Sequence, residues 1–279
     1  HPTAFSDLVR IAGLSHGTDV WTGNAQDLIR EGTATISTCI CTRDDIMIYL
    51  IGKGLESEKS FKIMESVRKG KGLTPDWEKE MRAHDVPEWY IDSCKKIKYM
   101  FPKAHAVAYV MMGMRIAWFK VHIPLAYYAA FFTIRATDFD YELMCQGKEK
   151  LDGHIRTYKA IPNPSAKEKD TLRDMKIVQE FYARGFEFLP MDLYKSEAAK
   201  FQIIGDKLLP PFSSIGGMGT TAAEALYIAA KGEPFLSKDD IKQRAKVSST
   251  VVDMMADLGI LGDLPESNQL SLADFGLLQ

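Results

Sequence analysis

The sequence predicts a mainly α fold, in which a long helical segment is followed by a small α+β domain with short strands and a helix-hairpin-helix. Three observations carry this. Helix start signals recur through the first half of the chain, the apolar spacing changes to a strand-like period after Gly185, and a Gly-x-Gly turn opens a helix beyond Pro211. With 279 residues, 46% of them apolar, the chain is long enough for one or two domains with buried cores.

Taken in order, Thr74 followed by Pro75 and Asp76 is a helix start, with proline at the first helical position and an acid in the first turn. It predicts a helix over Pro75–Ala83. Asp85 with Glu88 three residues on has the spacing of a capping box and predicts a second helix from Pro87 to Tyr99. The next helix enters at Lys103 and runs to His122, and Pro124 opens another through "PLAYYAAFFTIRA". The stretch from Asp138 to Gly185 stays helical but more polar, with a loop at "IPNPSAKEKD". After Gly185, "FEFLP" and "FQIIGDKLLPPF" read as short strands, the latter hinged on Gly205-Asp206. We place a domain boundary near Gly185, so that residues 1–185, 186–264 and 265–279 form a helical domain, a mixed domain and a tail.

The formal net charge is −2, yet from Ser93 to Thr137 there are seven Lys or Arg and no Asp or Glu. A local positive field is therefore set in a balanced chain. A membrane span is excluded for the same stretch, because Arg115, Lys120 and His122 interrupt it and Pro124 ends it short of the roughly 20 clean residues required. The helix over 103–122 is expected to be buried, with a basic edge.

The four cysteines, Cys39, Cys41, Cys94 and Cys145, form no disulfide-like framework, and no signal peptide is visible; a cytoplasmic location is expected. Cys39 and Cys41 are too close for the usual two-residue zinc spacing, so free thiols are the expectation and no metal ligands are assigned. Asp138 and Asp140 in "TDFDYE" imitate a two-metal carboxylate pair, but they follow a long helix and read as a helix cap and solvated acidic patch.

Two basic clusters suggest an anion. In "ESVRKGKGLTP", Arg68, Lys69 and Lys71 alternate with Gly70 and Gly72, so the backbone can approach a polyanion while the side chains neutralise it; the alternative is a solvated basic loop. The spacing is not that of a Walker loop. Lys103 and His105 stand in the first turn of a helix, where the partial charge is already positive, so they call for something negative; the alternative is a snorkelling lysine and a core histidine.

"SIGGMGTTAAEALYIAA" matches the helix-hairpin-helix form, with Gly217 and Gly219 in the turn, Ala223 allowing close packing, and Thr220 and Thr221 opening the helix. Such a turn points N–H groups outward, where a DNA phosphate is held without reading sequence; the alternative is a structural glycine turn between two helices, and Gly219 is the position expected to be strained by a β-branched residue. Downstream, Ser237 with Asp240 forms a cap, and Lys242, Arg244 and Lys246 follow on a small element that has the look of a second, degenerate copy.

"FSDLVRIAGLSHGTDVW", "FKIMESVRKGKGLTP", "HDVPEWYIDSCKKIKYMFPKAHAVAYV" and "LPPFSSIGGMGTTAAEAL" together resemble the C-terminal part of the PolC-type alpha subunit of bacterial DNA polymerase III, a family C replicative polymerase. The resemblance covers nearly the whole chain. It implies that residues 1–185 belong to the fingers domain and 186–264 to a duplex-binding domain. It further implies that Arg68, Lys69, Lys71, Lys103 and His105 contact the triphosphate of the incoming dNTP. Gly217, Gly219, Thr220, Thr221, Lys242, Arg244 and Lys246 would meet the primer-template DNA.

The same resemblance puts the catalytic carboxylates and their Mg2+ in a palm upstream of these residues, so no catalytic residue and no cofactor is expected in this chain, which would begin within the fingers and be inactive as a DNA-directed DNA polymerase by itself. The remaining polymerase domains are expected partners. The family's clamp-binding peptide ends Gln-Leu-Ser-Leu-Phe; here Gln269, Leu270, Ser271 and Leu272 match, Ala273 stands for the Phe, and Phe275 or Leu277 would have to substitute, which weakens the expected contact with the sliding clamp. A rival reading is a stand-alone, non-catalytic helix-hairpin-helix DNA-binding or scaffold protein, for which the basic-glycine loop paired with Lys103 and His105 has no use.

Overall fold

The computed structural model describes residues 2–268. Gln269, Leu270, Leu272 and Phe275, the positions expected to meet a sliding clamp, lie outside the described residues. The fold is mainly helical, with a single two-stranded sheet among the described residues. By compactness the chain divides into two units, His1–Ala117 and Trp118–Gln279.

The first unit holds α1 (Phe5–His16), α2 (Gln26–Arg30), α3 (Arg43–Gly52), α4 (Ser57–Arg68), α5 (Pro75–Ala83), α6 (Glu88–Lys96) and the start of α7 (Lys103–His122). The α3 and α4 helices pack as an antiparallel pair, and their buried faces contribute Ile46, Leu50, Ile63 and Val67 to a core completed by Met81, Tyr90, Ile91 and Met100. The α5 start is as expected, with Thr74 Oγ1 accepting the Trp77 N–H at 3.3 Å and Pro75 at the first helical position.

Two expectations need correction here. Asp85 does not open a capping box. It has φ 55 in the turn that closes α5, Pro87 is the N-cap of α6, and Glu88 is held by Arg82 instead, with Nε donating at 2.6 Å. A left-handed residue cannot supply the extended backbone that an N-cap requires. The α7 helix keeps its expected bounds but not its expected burial: only Ala106 is buried, and Tyr109, Met112 and Trp118 are each exposed. A helix apolar all round has no preferred inward face, so composition alone gives its length and not its partner.

The second unit holds the end of α7, then α8 (Pro124–Ile134), α9 (Tyr141–Met144), α10 (Lys148–Lys159) and α11 (Ala166–Ala183). Ser165 and Glu168 cap α11 reciprocally, and Asp140 caps α9 by accepting the Leu143 N–H at 3.0 Å, the role read for it above. Tyr128, Phe132, Phe181, Phe188 and Phe201 form an aromatic core with ring centroids 4.6–6.2 Å apart. Strands β1 (Gln202–Ile204) and β2 (Lys207–Leu209) make the expected hairpin, Ile203 opposite Leu208, with Gly205 at φ 62 in the turn. "FEFLP" forms only an isolated parallel bridge, Phe188 to Leu208.

Three short helices follow: α12 (Thr220–Ala230), α13 (Lys238–Ala245) and α14 (Ser249–Asp257). Their core holds Phe212, Ile215, Leu226, Ile241, Val252 and Met255. No described helix is long and apolar enough to cross a membrane.

Candidate functional site

The first cluster lies where the end of α4 and the entry to α7 approach the start of α3. In α3, Arg43, Asp44 and Asp45 fall in the first turn, a favourable place for acids. Asp45 uses Oδ2 to accept the Thr42 and Cys41 N–H groups, at 2.8 and 3.3 Å, and turns Oδ1 to Lys103 Nζ at 3.1 Å. Asp44 Oδ2 accepts the backbone N–H of Lys103 at 2.7 Å. The negative partner that the α7 N-terminus calls for is thus a carboxylate brought from 59 residues away.

Arg43 continues the chain of charge. Its backbone N–H reaches the Phe101 carbonyl at 3.2 Å, while its guanidinium stands 3.9 Å from Asp44 and 3.7 Å from Glu65. Glu65 in turn takes both Nε and Nη2 of Arg68, at 2.7 and 2.8 Å, and Lys69 Nζ at 3.0 Å. These bonds, Arg68 first and Lys69 second, hold the Glu65 carboxyl down at about 2 and push the Arg68 guanidinium up.

The glycine loop gives this cluster its shape. Gly70 has φ 71, and a Cβ there would lie 2.5 Å from the Lys98 carbonyl oxygen, so the loop backs directly onto the segment leading into α7. Ser66 Oγ donates to the Gly72 carbonyl at 2.8 Å and the Lys71 N–H to the Ser66 carbonyl at 3.0 Å, which closes the turn. Lys71 is exposed and makes no ion pair among the described residues.

Arg68, Lys69 and Lys103 are therefore joined through Glu65, Arg43 and the two aspartates, and Lys71 extends from the same loop. Arg43, Lys69, Arg68, Lys71 and Lys103 face three carboxylates, Asp44, Asp45 and Glu65, so the cluster carries an excess of positive charge. His105 is exposed rather than a core histidine; its ring meets Phe101 edge-on at 4.9 Å and Tyr109 at 4.7 Å, and Phe101 stacks on His16 at 5.1 Å. Arg43, Asp44, Asp45 and Glu65 escaped the sequence reading. The Thr42 to Asp45 spacing was the available signal for Asp45, but nothing local ties Asp44 to Lys103.

The second cluster is the glycine turn before α12. Gly217 has φ 76 and supplies the left-handed step; Gly219 is the N-cap, with φ −74 and ψ 160, and a Cβ there would meet nothing within 4 Å. The strain expected at Gly219 therefore belongs to Gly217. No side chain caps α12 and no acid lies in its first turn, whereas Ser237 caps α13 and Ser248 caps α14. Thr220 and Thr221 are exposed, so the first N–H groups of α12 open to solvent.

The basic residues of α13 differ among themselves. Arg244 donates to the carbonyls of Ala229 and Glu233 at 2.9 and 2.7 Å and to Asp240 at 3.1 Å, and lies 4.4 Å over the Phe235 ring. Its donors are occupied within the fold, where it ties α13 to the end of α12. Lys242 is paired with Asp239 at 3.2 Å, and exposed Lys246 ends α13 in a left-handed conformation, φ 52.

Most of the first cluster and all of the second fall where known families match. Residues 1–86 match the bacterial DNA polymerase III alpha subunit finger domain, and residues 185–270 match a helix-hairpin-helix motif. A "DNA polymerase III PolC-type" of Bacillus cereus is 54% identical over 273 residues, covering 97% of this chain. The proteins of that name from Bacillus subtilis and Listeria monocytogenes are each 54% identical, over 272 and 275 residues, again covering 97%. The chain belongs to the PolC-type DNA polymerase III family. It spans 19% of the length of each of these relatives. Within the PolC frame, Arg43, Asp44, Asp45, Glu65 and the basic loop lie inside the finger match, Lys103 and His105 lie beyond its end, and α12 to α14 lie inside the helix-hairpin-helix match.

Proposed function

We propose that this chain serves DNA-templated DNA synthesis by a replicative polymerase, with residues 1–185 as fingers holding the incoming dNTP and residues 186–264 holding the primer-template duplex. The observation that carries the reading is the positively biased network joining the end of α4 to the start of α7. A triphosphate would take the place of Glu65 on Arg68 and Lys69, and of Asp45 on Lys103, with Lys71 and His105 closing on its rim. Each carboxylate pair released is a partly exposed one, worth at most about 1 kcal/mol, while a guanidinium forked onto phosphate makes stronger charge-assisted bonds.

On the duplex, the open N-terminus of α12 with Gly217, Gly219, Thr220 and Thr221 would hold a phosphate, and Lys242 and Lys246 would neutralise its neighbours. Arg244 would act by keeping the two helices together. Phosphoryl transfer needs metal-bound carboxylates. The resemblance to the polymerase family puts those carboxylates and their Mg2+ in the remaining polymerase domains, with this chain binding and orienting nucleotide and duplex. The degenerate peptide at Gln269, Leu270, Leu272 and Phe275 would contact the sliding clamp.

The test is a pair of substitutions in the full-length polymerase. Lys103→Ala and Arg68→Ala are each expected to raise the KM for dNTP about tenfold, the loss of one charge-assisted contact, and to leave the Kd for primer-template unchanged. Equal loss of both quantities would sink the division of labour.

A further inference from the structure

Just before α3, the turn over 36–38, closed by the Cys39 N–H on the Thr35 carbonyl at 2.9 Å, brings the side chains of Cys39 and Cys41 together. Their Sγ atoms stand 3.6 Å apart. Neither thiol is paired with any other cysteine. Cys39 lines a cavity of about 430 Å³ with Arg10, Asp45, Tyr49, Trp89 and Lys103, whereas Cys41 lies behind it, fully enclosed. The two sulfurs are therefore unequal in access. They are unequal in acidity too: the hydrogen bond from Cys41 pulls the Cys39 thiol down, and the same bond together with burial pushes Cys41 up.

We propose that Cys39 and Cys41 form a thiol-modification site that exchanges with low-molecular-weight disulfides, Cys39 as the attacking sulfur and Cys41 as the resolving one. The Cys39 thiolate attacks one sulfur of the incoming disulfide RSSR through the cavity; a Cys39–SR bond forms, the S–S bond breaks, and RS⁻ leaves. Cys41 gives its proton to that thiolate and attacks the Cys39 sulfur, expelling the second RS⁻, which takes the Cys39 proton already released to solvent. The pair is oxidised by two electrons and RSSR is reduced to two RSH. The cavity supplies the geometry the first step needs, and Arg10 supplies a cation for an acidic R group.

Closing the ring pulls on Cys41, whose N–H shares Asp45 Oδ2 with that of Thr42. Asp45 is the carboxylate that holds Lys103, so the oxidation state of the pair acts on the start of α7. The site itself does not depend on the function proposed above.

The experiment exposes the folded protein to glutathione disulfide at neutral pH, quenches with acid, alkylates under denaturing conditions, and maps the cysteines by mass spectrometry. The wild type is expected to lose two alkylatable thiols and to yield a Cys39–Cys41 linked peptide that dithiothreitol reopens, with Cys94 alkylated throughout. Cys41→Ser should retain one glutathione on Cys39, and Cys39→Ser should carry neither adduct nor link. Four free thiols in the exposed wild type, a link to any other cysteine, or an adduct on Cys41 in Cys39→Ser overturns the proposal; the wild-type result decides even where a variant fails to fold.

Discussion

Glu65 holds three cations at once, Arg68, Lys69 and Arg43, and it is the residue on which the first cluster turns. Its folded carboxyl titrates at about 2, below the ordinary 4.5. A depressed folded value means that its contribution is fully present above about pH 4.5 and drains away as the pH falls toward 2. Glu65→Gln should therefore cost up to about 1 kcal/mol at neutral pH, and denaturant midpoints of the two proteins should converge across that acid window. A constant gap down to pH 2 would mean the pair contributes nothing through charge.

Arg244 makes a sharper case, because its fork reaches two carbonyls and a carboxylate while stacking on Phe235. Arg244→Lys keeps the charge and loses the fork; a loss of about 2 kcal/mol is expected, measured as a lowered unfolding midpoint. The sequence marked Arg244 as basic, which it is, but a count of charges cannot tell a donor facing solvent from one spent on Ala229 and Glu233. Asp44 shows the same limit from the other side: its bond to the Lys103 N–H is made only once α3 and α7 have met.

At the scale of elements, local chemistry was legible where a helix or turn is decided by its own residues. Thr74-Pro75 fixed the start of α5, Gly205-Asp206 the β1–β2 hairpin, and Pro124 the entry to α8. Reading failed where a tertiary or conformational choice intervened, as at Asp85, which took the left-handed turn instead of a cap, and along α7, whose uniform apolar surface names no inward face.

The α12 hairpin yields a prediction of the same local kind. Gly217 needs its left-handed φ, so Gly217→Val should destabilise by about 1–2 kcal/mol. Gly219 does not; Gly219→Asp gives α12 the side-chain cap it lacks and should leave stability equal or up to about 1 kcal/mol higher. The added carboxylate would also occupy the N–H groups proposed for a phosphate, so duplex affinity should fall as the helix gains. Affinity unchanged in a stabilised Gly219→Asp would remove the α12 N-terminus from the DNA site.

Across the whole molecule, a net charge of −2 conceals segregation, and it is the segregation that permits a polyanion partner. Fluorescence anisotropy of this chain on a primer-template, taken through a salt series, should give affinity falling linearly with log salt and indifferent to base sequence, with a slope near −0.9 per phosphate neutralised. Lys246 separates charge from folding in that experiment. It is exposed, unpaired among the described residues, and left-handed at φ 52, so Lys246→Gly relieves the backbone and should raise stability by about 1 kcal/mol. The same change removes one cation from the surface beside the hairpin. If Lys246 meets a phosphate, the more stable variant binds more weakly at low salt and its slope flattens by about 0.9; if the slope is unchanged, the α13 end lies off the duplex.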